Sequence, residues 1–242
     1  SVIDGMLDQV EGSGYMGVNY LNTFRHLDAK GIKLITSKSP DDFDCEVFTR
    51  QNWKQFTKQG DSIFICTPID THVDIIRESH DLGLTAYTEK PVALDRSSFE
   101  SLRNIASSHF VLMNRRYYAW APYIRELVAL KQVAHVSVTI PELGKDISSL
   151  NYNVLSNSIH VFDLVFHLFK IDPTFQPAFS NVSQYSSVHI YNSPSASSVA
   201  INIVPNAAAN FSISIFLKNG TCLVAKPLEY LTEYSGFDIK EP

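Results

Sequence analysis

The chain has 242 residues, a formal net charge of −5, and 45% hydrophobic and 19% charged residues. This is the composition of a globular protein, and it excludes a disordered, collagen-like or coiled-coil chain. No apolar run approaches the ~20 residues of a membrane span, and the 20 lysines and arginines form no basic block that would favour a nucleic-acid partner.

The first half of the chain alternates short apolar runs with helical patterns. Apolar residues at helical spacing predict three helices, at residues 17–29, 71–82 and 97–106. Short apolar runs predict four strands, at residues 32–36, 62–67, 84–88 and 110–114. Ser97 and Glu100 have the spacing of a capping box at the start of the third helix. Strands and helices that alternate in this way predict βαβ units and a parallel sheet.

The second half predicts a different kind of sheet. Helices are expected at residues 122–130 and 158–170, with a strand between them at residues 133–140. Three later strands are expected at residues 199–204, 211–217 and 221–225. The later strands alternate apolar and polar residues, Asn219-Gly220 predicts a hairpin, and residues 192–198 are expected to form a loop. These patterns indicate an antiparallel sheet with one covered face. The predicted fold class is α/β, with a parallel-sheet domain at residues 1–118 and a mostly antiparallel open-sheet domain at residues 119–242.

A glycine-rich turn opens the first predicted helix. The pattern G-x-G-x-x-G falls on Gly12, Ser13, Gly14, Tyr15, Met16 and Gly17. Glycines permit a tight turn and the close approach of a pyrophosphate, which the N–H groups of a helix N-terminus can bind. However, Asp8, Gln9 and Glu11 precede the turn, and such side chains are unfavourable in the centre of a buried parallel sheet. A dinucleotide site and a glycine-rich surface turn are therefore both open on this motif alone.

The segment after the predicted strand 32–36 bears on the choice of dinucleotide. Dinucleotide-binding domains often carry a carboxylate there, which binds the adenosine ribose. This chain instead has Ser37, Lys38 and Ser39. A cation between two hydroxyls suits a 2′-phosphate, so the segment favours NADP over NAD. A solvated loop is the alternative.

Three further motifs follow the glycine turn. Their residues are Thr67-Pro68 with His72, Glu89-Lys90-Pro91, and His160 with Asp163 and Leu164. They have the forms T-P-x-x-x-H, E-K-P and H-x-x-D-L, in this order. Together with the glycine turn they resemble the Gfo/Idh/MocA family of sugar and polyol oxidoreductases, including its members from bacterial surface-polysaccharide gene sets. The resemblance covers nearly all of residues 12–169.

The resemblance implies a Rossmann-like first domain and a cofactor, NADP or NAD. It implies that Thr67, Pro68, His72, Glu89 and Lys90 contribute to the cofactor site, and that the substrate is a sugar, a polyol or a nucleotide sugar. It further implies a homodimer or homotetramer formed through the C-terminal sheet, and a substrate-capping segment beyond the last residue.

Lys90 is the first candidate for catalysis. It follows a predicted parallel strand, at the sheet edge where open α/β folds bind ligands. A lysine there can hydrogen-bond a substrate hydroxyl and stabilise a developing alkoxide, and Glu89 can hold the lysine side chain. The resemblance implies a cis peptide bond before Pro91. A surface charge is the alternative for Lys90.

His160 is the second candidate. With Asp163 and His167 it shares one face of the predicted helix 158–170. A histidine there can act as a general base, and Asp163 could orient it. A core histidine is one alternative, and a metal site is another, although the reach from His160 to His167 is long for two ligands of one metal. No metal is expected.

The turn before His160 departs from the family pattern. Ser156 stands where the family often has an aspartate that contacts the substrate and tunes the histidine. Ser156 and Asn157 can still hydrogen-bond sugar hydroxyls, but they cannot supply the charge.

A pair of arginines lies before the second domain. The segment Asn114-Arg115-Arg116-Tyr117 resembles the family's N-x-R-[FY] segment. Arg115 or Arg116 is expected to bind a carboxylate or phosphate of the substrate, because a guanidinium offers a bidentate fork; of the two, Arg116 is assigned to the substrate site. A salt-bridged hinge arginine is the alternative.

The sequence therefore predicts an NAD(P)-dependent dehydrogenase or reductase that acts on CH–OH groups. In this interpretation Lys90 polarises the reacting oxygen and His160 moves its proton. The alternative is a non-catalytic homologue that binds a sugar or serves as a partner subunit; the charged residues before Gly12, the absent carboxylate and Ser156 favour it. The three cysteines lie far apart, and residues 1–12 do not have the pattern of a signal peptide, so a cytoplasmic location is expected.

Overall fold

The computed structural model describes residues 8–11, 14–29, 31–36, 45–143, 153–172, 174, 176–183, 186–194 and 196–236. The chain forms two compact units, Ser1–Leu112 and Met113–Pro242. The division thus lies before the turn Asn114–Tyr117, whereas the sequence predicted a boundary after residue 118. This turn belongs to the second unit, because it packs against a helix of that unit.

The first unit contains a parallel sheet. Its strands are β1 (Asp8–Glu11), β2 (Lys33–Ile35), β3 (Glu46–Phe48), β4 (Ser62–Ile65), β5 (Thr85–Thr88) and β6 (His109–Val111). Its helices are α1 (Tyr15–His26), α2 (His72–Asp81) and α3 (Arg96–Ser101), with 3₁₀ turns at Trp53–Phe56, Ile69–Thr71 and Arg103–Ser108. The strand order is β3-β2-β1-β4-β5-β6, so the order reverses between β1 and β4. This is the Rossmann-like arrangement that the sequence predicted.

The strand before the glycine turn is present despite its polar residues. β1 pairs in parallel with β2 on one side and with β4 on the other, with Val10 opposite Leu34 and Phe64. One face of the neighbouring strands is buried, and Ile63 and Ala86 there belong to the same core cluster as residues of α2. The glycine turn therefore follows a central strand, as a dinucleotide site requires.

The cap of α3 differs from the prediction. Its N-cap is Asp95, whose carboxylate accepts a hydrogen bond from the Ser98 backbone N–H at 2.9 Å. Ser97 donates its hydroxyl to the same carboxylate, and Glu100 pairs with Arg103 at 3.0 Å. The predicted capping box of Ser97 and Glu100 is wrong, because a carboxylate two residues earlier takes the cap position.

The second unit contains a larger sheet. Its helices are α4 (Ala121–Ala129) and α5 (Ile159–Phe169), with a 3₁₀ turn at Asn114–Tyr117 and a π-helical turn at Val154–Ser158. Its strands are β7 (Val133–Glu142), β8 (Phe179–Val182), β9 (Ser187–Ser193), β10 (Ala196–Pro205), β11 (Ser212–Leu217), β12 (Cys222–Ala225) and β13 (Leu231–Tyr234). The order is β13-β12-β11-β7-β10-β9-β8, and every pair is antiparallel except β7 with β10. The predicted antiparallel sheet is confirmed.

Alternation along these strands builds the core of the second unit. Val136 on β7, Ile201 on β10 and Ile215 on β11 are buried in one cluster with residues of α4 and α5. The hairpin from β11 to β12 turns at Gly220, whose φ of +90° favours glycine. The predicted loop at residues 192–198 is mostly strand, because β9 and β10 extend into it on both sides. No helix in the described ranges is both long and apolar enough to cross a membrane.

Candidate functional site

The N-terminus of α1 is shaped to bind an anion. Gly14 is its N-cap, and the first intrahelical hydrogen bond runs from the Val18 N–H to the Gly14 carbonyl at 3.1 Å. The N–H groups of Tyr15, Met16 and Gly17 thus lie outside this ladder. No described side chain caps the helix, and a Cβ added to Gly14 would meet no described atom within 4 Å.

This turn sits where parallel sheets bind nucleotides. It follows β1, next to the point at which the strand order reverses, and Thr67-Pro68 follows β4 on the other side of that point. Gly17 is buried, which lets α1 pack closely on the sheet. The described residues fit a dinucleotide pyrophosphate. Gly12 and Ser13 lie outside the described residues.

The predicted 2′-phosphate segment also lies outside the described residues. Ser37, Lys38 and Ser39 follow β2 in the chain, and the structure describes none of them. The preference for NADP over NAD therefore stays a prediction from the sequence.

His72 joins the two turns that follow β4 and β5. Its ring is only 1% exposed, with Nε2 at 2.9 Å from the Thr67 carbonyl and Nδ1 at 3.0 Å from the Pro91 carbonyl. Both carbonyls are acceptors, so a neutral ring satisfies one of them and an imidazolium satisfies both. His72 thus holds the two turns together, and the cofactor contact predicted for it stays a prediction. Thr67 also shares a hydroxyl–hydroxyl hydrogen bond of 2.6 Å with Thr71.

Glu89 connects the second of these turns to α1. Its carboxylate accepts a hydrogen bond of 2.7 Å from the Tyr20 hydroxyl. The predicted contact of Glu89 with Lys90 stays a prediction. Burial raises the pKa of Tyr20, and this hydrogen bond raises it further. Burial, with a smaller effect of the Glu89 charge, raises the pKa of Cys66 to about 12. Tyr20 and Cys66 were not predicted, and the only signal for Tyr20 is its place one turn after Gly17 on the same helix face.

Lys90 lies at the predicted sheet edge. It follows β5 directly after Glu89, its side chain is half-buried, and the peptide bond to Pro91 is cis, as the resemblance implied. These observations place the residue at the carboxyl end of a parallel strand, where a cation can stabilise negative charge on a ligand.

A buried carboxylate holds the start of the helix that carries His160. Glu142 ends β7 and is 5% exposed. The Asn157 amide donates to it at 3.0 Å, and the Ser158 hydroxyl donates to the same oxygen. Asn157, a predicted substrate ligand, is thus engaged within the protein, while Ser156 is half-buried in the π-helical turn. His160 is 8% exposed in the first turn of α5.

Sequence reasoning missed Glu142. The available signal is an acidic residue that ends a strand of alternating apolar residues, which is an unusual place for a charge unless it has partners. π-Helical turns are rare and are frequent at functional sites, which fits the turn between Glu142 and His160.

Arg116 forms a fork with Asp163. Its Nε lies 2.7 Å from Asp163 Oδ2, and its Nη2 donates to Oδ1. This pairing raises the pKa of Arg116 and ties the turn Asn114–Tyr117 to α5. The salt bridge that the sequence left as the alternative is present, and the substrate contact predicted for Arg116 stays a prediction. Asp163 accepts both of these hydrogen bonds from Arg116.

The metal reading finds no support in the described part of the chain. His167 is exposed on α5, whereas His160 is buried. Burial lowers the pKa of His167, and the charge of Arg116 lowers it further. Among the described residues, no group of three histidines, cysteines or carboxylates is placed to hold a metal ion.

Comparison with known proteins identifies similar chains. No family model matches the chain. Inositol 2-dehydrogenase of Rhizobium meliloti (strain 1021) is 27% identical over 124 residues, which are 47% of this chain and 38% of that protein. The matched region thus spans less than half of that relative's length.

Solved structures match over almost the whole chain. A dehydrogenase (MviM) from Clostridium difficile superposes with a TM-score of 0.72 and 16% identity, covering 98% of this chain and 84% of that one. The WlbA (WbpB) dehydrogenase from Thermus thermophilus, solved with NAD and UDP-GlcNAcA, gives a TM-score of 0.65 and 17% identity over 96% of this chain and 84% of that one. At these identities the likeness establishes the fold.

Proposed function

We propose that this chain, which has the two-domain fold of the Gfo/Idh/MocA dehydrogenases, is an NAD(P)-dependent oxidoreductase acting on CH–OH groups. The observation that carries the proposal is the open N-terminus of α1 beside the reversal of strand order. Three N–H donors outside the helix ladder, after the strand at which the order reverses, suit a dinucleotide pyrophosphate.

The substrate is a sugar, a polyol or a nucleotide sugar. Support comes from the names of the similar proteins, one an inositol dehydrogenase and another solved with a nucleotide sugar.

Lys90 and His160 divide the acid–base work. A bound nicotinamide would supply or accept the hydride. Lys90 donates a hydrogen bond to the reacting oxygen and stabilises negative charge that develops on it. His160 takes the hydroxyl proton in oxidation and returns it in reduction. The hydrogen bonds to Glu142 fix the turn just before His160 and so help to hold its ring in place.

The open face of the second sheet makes the subunit contact. Alternate residues of the central strands, such as Ser137 on β7, Asn202 on β10 and Ser214 on β11, point away from the core and are half-exposed. A homodimer or homotetramer through this face is proposed. The cytoplasmic location expected from the cysteine pattern stays a prediction.

Nucleotide binding tests the proposal directly. NADPH and NADH are titrated while thermal stability is followed, and a ligand at 100 times its Kd should stabilise the first unit by about 2.7 kcal/mol. NADPH should bind more tightly, and Lys38→Asp should reverse the preference, whereas Lys58→Asp makes the same charge change at an exposed site and should not. If neither nucleotide stabilises the chain, the proposal fails and the non-catalytic homologue becomes the better explanation.

A further inference from the structure

Helices α1 and α2 pack on opposite faces of the first sheet. Side chains alternate across a strand, so Ile63 and Ile65 of β4 point to one face and Phe64 points to the other. Ile63 and Ile65 are buried in one core cluster with Ile75 of α2. The Tyr20 ring of α1 packs on Phe64, with the ring centroids 5.6 Å apart. The turn that follows β5, the strand beside β4, can therefore be held from both faces.

Each of the two helices makes one polar contact with that turn. From α2, Nδ1 of His72 lies 3.0 Å from the Pro91 carbonyl oxygen. From α1, the Tyr20 hydroxyl donates to the Glu89 carboxylate at 2.7 Å. Lys90 lies between Glu89 and Pro91 in the chain. The two residues that flank Lys90 are thus held by helices on opposite faces of the sheet.

The contact between Tyr20 and Glu89 is of a strong type. A phenol can act only as the donor to an ionised carboxylate, and hydrogen bonds to charged groups are stronger than neutral ones. Burial raises the pKa of Tyr20 and the hydrogen bond to Glu89 raises it further, so the phenol keeps its proton across the neutral range. The backbone of Glu89 is fixed as well, since its N–H donates to the Ile65 carbonyl at 3.0 Å.

A second tyrosine shows that ring packing alone does not require this hydroxyl contact. The Tyr87 ring stacks on Phe64 with the centroids 4.8 Å apart, so Tyr20 and Tyr87 pack on the same ring. Within the described ranges, however, the Tyr87 hydroxyl has no hydrogen-bond partner. The hydroxyl of Tyr20 therefore has a function that the hydroxyl of Tyr87 does not share.

We propose that Tyr20 is a positioning residue for Lys90 and acts through the Glu89 carboxylate. The inference rests on the proposed function for the part that Lys90 takes in the reaction. Tyr20 lies one turn after the glycines at the start of α1. The helix whose N-terminus would bind the pyrophosphate therefore also holds the turn that carries Lys90.

Acetylation of the Lys90 amine tests the inference and requires neither nucleotide nor substrate. The chain is treated briefly with acetic anhydride at pH 8, and mass spectrometry gives the labelling of Lys90 relative to that of the exposed Lys58. Tyr20→Phe keeps the ring and removes the hydroxyl. It should raise the relative labelling of Lys90 about 10-fold, because the turn opens more often without this hydrogen bond. Tyr87→Phe is the matched control and should leave the labelling unchanged.

Variants of Glu89 show whether Tyr20 acts through its carboxylate. Glu89→Ala removes the acceptor and should raise Lys90 labelling as much as Tyr20→Phe does, and the double variant should add nothing further. Glu89→Gln keeps an amide oxygen for the Tyr20 hydroxyl and should retain most of the protection. If Tyr20→Phe does not fold, the two Glu89 variants decide, and equal labelling in them overturns the inference.

Turnover separates positioning from a purely structural role. On an identified substrate, Tyr20→Phe should lower kcat about 10-fold, because the lysine is displaced, and should change the nucleotide Kd less than about twofold, because the N–H donors of α1 remain. Unchanged Lys90 labelling in Tyr20→Phe, an equal rise in Tyr87→Phe, or raised labelling with an unchanged kcat overturns the inference. Raised labelling in a chain that binds no nucleotide would keep the hold of Tyr20 on the turn and reject the proposed dehydrogenase.

Discussion

The Arg116–Asp163 ion pair should stabilise the second unit. Its contribution to the free energy of unfolding follows from how exposed the two side chains are. The Arg116 side chain is 40% exposed and that of Asp163 is 13%. Exposed pairs contribute ~0–1 kcal/mol, whereas removing one partner of a buried pair costs ~3–5 kcal/mol. Arg116→Met leaves the more buried carboxylate alone and should cost about 2 kcal/mol. Asp163→Asn leaves the more exposed cation and should cost about 1 kcal/mol.

The two tryptophans make this measurable. Trp53 is buried in the first unit and Trp120 in the second. In a Trp53→Phe background, fluorescence during urea unfolding reports on the second unit alone. The Arg116→Met/Asp163→Asn double variant should be less destabilised than the sum of the single variants by ~1–2 kcal/mol.

Strict additivity in this cycle would refute the reasoning, because it would mean that the two side chains do not interact. So would an Arg116→Met variant of unchanged stability whose KM for the substrate is raised, since Arg116 would then be a substrate ligand. An Arg125→Met control, at an exposed position of α4, should shift stability by less than ~0.5 kcal/mol.

Further predictions concern the first sheet edge and the helix of the second unit. Lys90→Met should keep the fold and lower turnover by ~10²–10³, and normal turnover on an identified substrate would remove Lys90 from the mechanism. His160→Asn should lower turnover by ~10²–10⁴ and abolish one limb of the pH–rate profile, which steady-state rates across pH would reveal. His72→Gln removes the ring that contacts both the Thr67 and Pro91 carbonyls and should destabilise the first unit by ~1–3 kcal/mol in urea unfolding. An unchanged midpoint would show that these two contacts do not stabilise the unit. Because its pKa is about 12, the Cys66 thiol stays protonated at pH 8. Iodoacetamide should therefore alkylate it slowly, and mass spectrometry measures the rate. Glu89→Gln removes a charge that raises this pKa and should speed labelling.

Local patterns predicted most of the elements, because apolar spacing is a property of neighbouring residues. The alternating runs of β10 and β11 and the hairpin at Gly220 were predicted in this way. The local pattern does not predict strand β1, because its polar residues carry no hydrophobic signal. Its stability comes from pairing on both sides with β2 and β4, which a local pattern cannot reveal.

The site was predicted less well, because its contacts join distant residues. Arg116 and Asp163 are 47 residues apart, and Tyr20 and Glu89 are 69 apart. Motifs indicated which side chains matter but not which partner each one takes. The salt bridge of Arg116 is an example: nothing in the sequence distinguishes Arg116 from its neighbour Arg115 as the partner of Asp163.

The parallel pairing of β7 with β10 sets an order of events during synthesis. In the first unit, each strand from β4 onward pairs with the strand that follows it in the chain, so that edge of the sheet can assemble as it leaves the ribosome. β7 must wait, because its neighbour β10 begins only at Ala196 and its other neighbour β11 ends at Leu217. Until then its apolar side, with Val136 and Val138, lacks both flanking strands. A nascent chain halted between the synthesis of β7 and that of β10 and β11 would expose an aggregation-prone apolar strand. Contacts between residues so far apart in sequence are also slow to form.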